Sequence, residues 1–118
     1  MKLRGSLIEK SYAEQLLKSW NGMKERVGEV MPVLERTFPL INSAFVLAWT
    51  PEQFENIYTV LVNGQSVVSF EISKETHEVV NFECVDVKAY EKSIRSKANK
   101  IQLAVALSLA IEIMRTKK

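Results

Sequence analysis

The first third of the chain carries the apolar spacing of an amphipathic helix. Apolar residues recur at alternating steps of three and four, at Tyr12, Leu16, Trp20, Met23, Val27, Met31, Leu34 and Phe38. This spacing places them on one helix face, and Ser11 with Glu14 predicts a capping box at the start. Most of residues 11–38 is therefore predicted to be helical. Glycines and Pro32 interrupt the pattern, so one kinked helix and two short helices are both admissible.

The middle of the chain changes to the two-residue period of β-strands. Within residues 43–49, every position after Ser43 is apolar, which favours an internal strand. Residues 50–53, Thr-Pro-Glu-Gln, predict a short helical turn, because proline suits the first helical position. Strand character resumes at residues 58–62. Asn63-Gly64 then predicts a type I′ hairpin turn, which needs positive φ at both central residues.

A two-residue turn would set the register of the strands that flank it. It places Thr59 opposite Val68, and it predicts an apolar sheet face formed by Ile57, Leu61, Val68, Phe70 and Ile72. A loop over residues 74–78 continues this face into a third strand, with Ile72 opposite Val80, Phe70 opposite Phe82 and Val68 opposite Cys84. Phe70 and Phe82 are then buried, and replacing either by alanine should cost about 3–5 kcal/mol. The opposite face carries Ser69, Glu71, Asn81 and Glu83.

The C-terminal region returns to a helical pattern from about Val87 to Lys117. One stripe holds Tyr90, Ile94, Ala98, Ile101 and Val105. Residues 101–114 are apolar almost all round, so one sheet face cannot cover them, and either the N-terminal helix or a second chain must cover the rest. The predicted fold is a single α+β domain over residues 1–118. It has an N-terminal helical region, a three- or four-stranded antiparallel β-meander and a long C-terminal helix packed on one sheet face.

The composition and the candidate catalytic residues exclude several classes of function. The 118 residues are 47% apolar and 25% charged, which is typical of a globular domain. A single cysteine and the lack of a secretory signal pattern favour the cytoplasm. His77 falls in a predicted loop and Cys84 on the predicted core face, so they do not form a metal site or a catalytic pair. The four glycines form no phosphate loop. We therefore expect no enzymatic activity, no cofactor and no metal.

The net charge of +2 hides a strong asymmetry along the chain. Residues 52–91 hold two basic and eight acidic residues, whereas residues 92–118 hold seven basic and one acidic. A basic stretch comprises Lys88, Lys92, Arg95, Lys97 and Lys100. These side chains could contact the phosphates of a nucleic acid, and an ordinary solvated helix face would also explain them.

Acidic residues concentrate on the predicted sheet and its turns. They are Glu52, Glu55, Glu71, Glu75, Glu78, Glu83 and Asp86. The same elements are expected to expose Tyr58, Val60, Val67, Asn81 and Val85. A surface that is both negatively charged and partly apolar is typical of a face that binds a protein partner. The alternative interpretation is an ordinary solvated sheet face.

The hairpin series Val67–Ile72, Lys74–Glu78 and Val79–Cys84, with its acidic balance, resembles small bacterial immunity proteins. These neutralise nuclease toxins of contact-dependent and related competition systems. The resemblance implies a non-catalytic inhibitor that binds a cognate toxin, with acidic residues pairing with the toxin's basic groove. The implied interface residues are Glu71, Glu83 and Asp86, together with Glu52, Glu55, Glu75 and Glu78. Two alternatives are a small nucleic-acid-associated protein using the basic start of the C-terminal helix, and a structural homodimer formed through residues 101–114.

Overall fold

A computed structural model describes residues 7–116, which form four helices and a four-stranded sheet. The elements are, in chain order, α1 (Leu7–Lys24), α2 (Val30–Thr37), β1 (Ala44–Pro51), β2 (Glu55–Val62), β3 (Ser66–Ser73), β4 (Val79–Asp86), α3 (Val87–Ser93) and α4 (Lys97–Thr116). The predicted α+β class, with an N-terminal helical region, an antiparallel meander and a long C-terminal helix, is confirmed.

The sheet has the order β1-β2-β3-β4, and every neighbouring pair is antiparallel. β1 and β4 are its edge strands. Side chains from two helices form hydrogen bonds with main-chain groups of β1. The Ser19 hydroxyl on α1 accepts a hydrogen bond from Val46 N–H (3.1 Å). Gln102 Nε2 on α4 donates a hydrogen bond to Leu47 C=O (3.0 Å). α1 packs against both β1 and α4. The apolar residues of α4 are therefore covered partly by the N-terminal helix.

The turn between β2 and β3 has the predicted conformation but a different register. Asn63 and Gly64 both have positive φ (57° and 66°), and Gln65 N–H donates to Val62 C=O at 3.1 Å. Val62 pairs with Ser66, however, so Gln65 is an additional residue outside the ladder. Its presence moves the pairing by one position.

This one-residue shift changes which side chains share a face. Thr59 lies opposite Ser69 instead of Val68, so the predicted apolar face is wrong at two positions, Ile57 and Leu61. These two residues lie on the other side of the sheet. The residues that share a face with Val68, Phe70 and Ile72 are Tyr58, Val60 and Val62. Val60 and Val67, which were expected to be exposed, are buried.

The β3–β4 hairpin follows the prediction at one end only. Val68 lies opposite Cys84 as predicted, but a bulge follows Ser69, and Ile72 lies opposite Val79 instead of Val80. Asn81 adopts a positive φ (55°) at this bulge.

β4 is an edge strand, and this determines the exposure of its side chains. Phe82 is 37% exposed and Cys84 is exposed, so the predicted burial of both residues is wrong. Phe70, one strand further in, is 1% exposed.

The N-terminal region forms two helices instead of one kinked helix. α1 begins at Leu7, before the predicted capping box at Ser11. Arg26 (φ 60°) and Gly28 (φ 88°) are left-handed, and they interrupt the helix between α1 and α2. Pro32 does not cause the break. It lies in the first turn of α2, where backbone N–H groups have no partner within the helix.

Two further helix predictions need correction. β1 extends to Pro51 and the chain then bends into β2, so residues 50–53 form no helical turn. The predicted continuous C-terminal helix is divided, because α3 ends at Ser93 and Ile94 is extended. The Ser96 hydroxyl then accepts a hydrogen bond from Asn99 N–H (3.2 Å) at the start of α4. Lys117 and Lys118 lie outside the described residues.

We expect Phe70→Ala to lower the free energy of unfolding by about 3–5 kcal/mol, because it removes a fully buried ring. The matched change Phe82→Ala should cost less than about 2 kcal/mol, because that ring is already partly in water. Urea unfolding of both variants measures the difference. Equal losses would contradict the edge position of β4.

Gly64→Ala should lower stability by about 1–3 kcal/mol. An added Cβ would lie 3.1 Å from Ala110 Cβ, on a residue whose φ is positive. The control is Gly22→Ala, where nothing lies within 4 Å of the added Cβ and α1 should gain up to about 1 kcal/mol. Thermal unfolding should therefore shift in opposite directions for the two variants, and a shift in the same direction would be inconsistent with the turn described here.

Candidate protein-binding surface

Glu71 and Glu83 lie on the same face of the sheet. Glu71 is paired with Ile57 and Glu83 with Ser69, and residues paired across strands share a face. The two carboxylates therefore occupy diagonal positions on β3 and β4. They line a shallow concavity of about 530 Å³, together with Ile57, Ser69, Phe70, Asn81 and Phe82.

A third acidic residue extends this arrangement to β2. Glu55 is two residues from Ile57 on the same strand, so it lies on this face as well, diagonal to Glu71. Glu55, Glu71 and Glu83 therefore form an acidic stripe across β2, β3 and β4, with steps of about 7–8 Å. Glu71 Oε2 accepts a hydrogen bond from Asn81 Nδ2 (3.0 Å). Within residues 7–116, none of the three carboxylates forms an ion pair.

The turns at one end of the sheet add three more exposed carboxylates: Glu52, Glu75 and Glu78. The β1–β2 and β3–β4 turns meet at this end, because Lys74 N–H donates to Phe54 C=O at 2.9 Å. Phe54 is 68% exposed between these acidic residues. We term the stripe and these turns together the acidic surface. It comprises Glu52, Glu55, Glu71, Glu75, Glu78 and Glu83, with Phe54 exposed among them.

Asp86 does not belong to the acidic surface. It is paired with Ser66, and this position puts it on the opposite face from Glu83. Its Oδ1 accepts a hydrogen bond from Lys88 N–H at 2.6 Å and caps α3. The structure therefore gives this carboxylate a local role at a helix start.

The other face of the sheet carries a row of aromatic rings that the sequence analysis did not predict. Trp49, Tyr58, Phe70 and Phe82 come from β1, β2, β3 and β4 in turn, with ring centroids 6.5, 5.6 and 6.0 Å apart. Cross-strand aromatic pairs stabilise sheets. The signal was present in the sequence, since each strand has at least one aromatic residue, but the row forms only in the correct register.

A polar network anchors the start of α2 on this aromatic face. Glu29 Oε2 accepts hydrogen bonds from the Tyr58 hydroxyl (2.8 Å) and from Asn56 Nδ2 (3.0 Å). Asn56 Oδ1 in turn accepts one from Trp49 Nε1 (3.2 Å). Burial, and then the hydrogen bond to Glu29, raise the pKa of Tyr58 well above its ordinary value. Because each of these polar groups has a hydrogen-bond partner within the protein, we assign the network a role in stabilising the fold.

The predicted basic residues are exposed but do not share one helix face. Lys88 and Lys92 lie on α3, Arg95 lies in the connection, and Lys97 and Lys100 lie on α4. Lys92 and Lys100 line a concavity of about 370 Å³ that also contains Glu91.

The start of α3 lies far from the acidic turns. Val87 N–H donates to Gln65 C=O, so α3 starts at the end of the sheet that carries the β2–β3 turn. The acidic turns are at the opposite end.

An apolar groove lies between the end of α4 and the β2–β3 turn. Its volume is about 540 Å³, and its lining includes Gly64, Leu107, Ile111 and Met114. Ile111 and Met114 are about half exposed. This groove is the position at which the predicted homodimer would form, and the homodimer remains a hypothesis.

The candidate catalytic and metal-binding residues stay apart. His77 lies in the exposed β3–β4 loop, and Cys84 is exposed on the opposite face from Glu83. In the described part of the chain, no group of three or more His, Cys, Asp or Glu side chains is placed to hold a metal ion. No helix between residues 7 and 116 is long and apolar enough to cross a membrane.

The fold and this surface define an α+β domain whose sheet carries an acidic stripe on one face. A comparison of the chain with protein-family models, curated proteins and solved structures finds no match.

The burial of Tyr58 and its hydrogen bond to Glu29 predict a pH dependence of stability. Since the pKa of Tyr58 is higher in the folded state, its contribution is complete below the unfolded value near 10 and is lost as pH rises above it. The loss of unfolding free energy between pH 9 and pH 11 should therefore be smaller in Tyr58→Phe than in the wild type. Urea unfolding at each pH measures it, and equal losses would argue against the contact.

Proposed function

We propose that this chain is a non-catalytic protein-binding module, and specifically an immunity protein that neutralises a basic bacterial toxin. The observation that carries the proposal is the acidic stripe. Three carboxylates, Glu55, Glu71 and Glu83, occupy neighbouring positions on one sheet face, and no cation among residues 7–116 forms an ion pair with them. Like charges placed side by side raise the energy of the free protein and favour a positively charged partner.

Three features support a protein as the partner. The carboxylates stand on strands of one sheet, so little conformational entropy is lost when they bind. Ile57 lines the same concavity, which adds apolar contact area between the charges. Phe54 is exposed among the acidic turns and can serve as an aromatic anchor. This mixture of charge and apolar area is typical of protein interfaces.

A nuclease toxin is the kind of basic partner that fits this surface. An enzyme that cleaves nucleic acid needs a groove lined with Lys and Arg, because phosphate contacts supply most of its affinity. An acidic surface placed over that groove would exclude the substrate. The attraction would also speed association, and this effect would weaken as salt concentration rises. Lys88, at the start of α3, does not oppose such binding, because α3 begins at the other end of the sheet.

The test is a pull-down with the tagged full chain from lysate of the native cells, treated with nuclease. We expect one stoichiometric protein to remain bound. The variant carrying Glu71→Lys and Glu83→Lys should bind it about a hundredfold more weakly or worse, since breaking a desolvated charge pair costs about 2–5 kcal/mol. The captured protein, once purified, should be toxic and should lose its activity at a one-to-one ratio.

The matched control carries Glu14→Lys and Glu25→Lys. It has the same net charge as the test variant, but its changes are exposed on α1 and just after it, away from the sheet. It should bind like the wild type. Capture that survives the change at Glu71 and Glu83 would refute the acidic surface as the binding site. Recovery of nucleic acid alone, lost after nuclease treatment, would favour the basic residues of α3 and α4 instead.

A further inference from the structure

The two edges of the sheet differ in how their main-chain groups are covered. On β1, side chains of α1 and α4 hydrogen-bond to Val46 and Leu47. On β4, residues 80–86 are exposed along the whole strand. No hydrogen bond within residues 7–116 reaches the outer main-chain groups of Phe82 or Cys84. An uncovered edge of this kind can pair with a strand from another molecule.

The direction of these main-chain groups follows from one hydrogen bond. Val87 N–H points toward β3, because it donates to Gln65 C=O (2.9 Å). Along an antiparallel strand the groups alternate in direction, so those of Val85 and Glu83 also point toward β3. Those of Cys84 and Phe82 point outward. The bulge at Asn81 ends this regular segment, so the available edge is short and runs from Phe82 to Val85.

We propose that β4 accepts an extended strand of the toxin in antiparallel pairing, and that this strand alternates basic and apolar side chains. The inference rests on the proposed function and specifies how the partner binds. A residue opposite Glu83 would lie on the face of the acidic stripe, beside Glu71, which favours Lys or Arg there. Residues opposite Phe82 and Cys84 would lie on the aromatic face, which favours apolar side chains.

A second copy of this chain fits the edge less well than a basic strand. Pairing β4 antiparallel with itself would bring Glu83 of one copy opposite or diagonal to Glu83 of the other. Like charges that face each other across strands are destabilising. The charge of the edge therefore selects a partner of opposite sign.

The probe is a fluorescently labelled eight-residue peptide of alternating lysine and valine, with binding to the full chain followed by anisotropy. In the proposed pairing, valine residues lie opposite Phe82 and Cys84 and exchange main-chain hydrogen bonds with them. N-methylation of the valine amides should therefore weaken binding about tenfold or more. N-methylation of the lysine amides, whose N–H groups point away from β4, should change it less than about threefold. Both methylated peptides keep the same charge.

A pair of variants tests the same contact from the side of the protein. Cys84→Pro removes the outward N–H, and proline is tolerated on an edge strand where that group faces solvent. It should weaken peptide binding about tenfold, whereas Cys84→Ala should stay within about twofold of the wild type. Circular dichroism establishes whether each variant folds. The methylated peptides keep the test decisive even if Cys84→Pro does not fold.

Several results would overturn strand addition. They are equal binding of the two methylated peptides, no binding of the unmethylated peptide, or self-association of the chain that Cys84→Pro abolishes. If the pull-down still depends on Glu71 and Glu83 in any of these cases, the proposed function stands and only the mode of binding is wrong. If that dependence is lost as well, both proposals fail.

Discussion

The left-handed turn at Asn63 and Gly64 determines the arrangement of the sheet. Asn63 attaches the turn to the segment that leads into β1. Its Oδ1 accepts hydrogen bonds from the backbone N–H groups of Asn42 (2.6 Å) and Ser43 (3.3 Å). Its Nδ2 donates a hydrogen bond to Leu40 C=O (2.8 Å). Gly64 allows α4 to approach within contact of the turn. Because the turn is held from both sides, the extra residue that follows it sets one register for β2 and β3.

That register determines the chemistry of both sheet faces. Pairing Val62 with Ser66 aligns Tyr58 with Phe70, so the aromatic rings form one continuous row and Glu29 can bind the Tyr58 hydroxyl. The same register aligns Ile57 with Glu71, which brings the acidic residues together on the other face. A shift by one residue would mix the two sets, because side chains alternate between faces. The aromatic row and the acidic stripe are therefore consequences of the same turn.

Local patterns predicted the element types except at residues 50–53, and longer-range geometry decided the pairing and exposure of the strands. The Asn63-Gly64 turn, the loop over residues 74–78 and the antiparallel meander were predictable, because period-two alternation and turn residues are local signals. The role of Gln65 was not, since a turn sequence does not say whether an unpaired residue follows it. The exposure of Phe82 depends on which strand ends the sheet. The acidic composition also gave no sign that the Asp86 carboxylate caps a helix.

The separation of covered and uncovered edges connects the fold to the proposed interaction. Covering β1 uses side chains from α1 and α4, so both long helices lie against the same edge. β4 is left at the opposite edge, and the acidic stripe ends on it at Glu83. A basic strand that approaches this edge meets electrostatic attraction and unpaired main-chain groups at the same place. Charge alone would attract many basic proteins. Pairing with β4 also requires an extended segment in which basic and apolar side chains alternate. The edge therefore adds a selectivity that the acidic surface lacks.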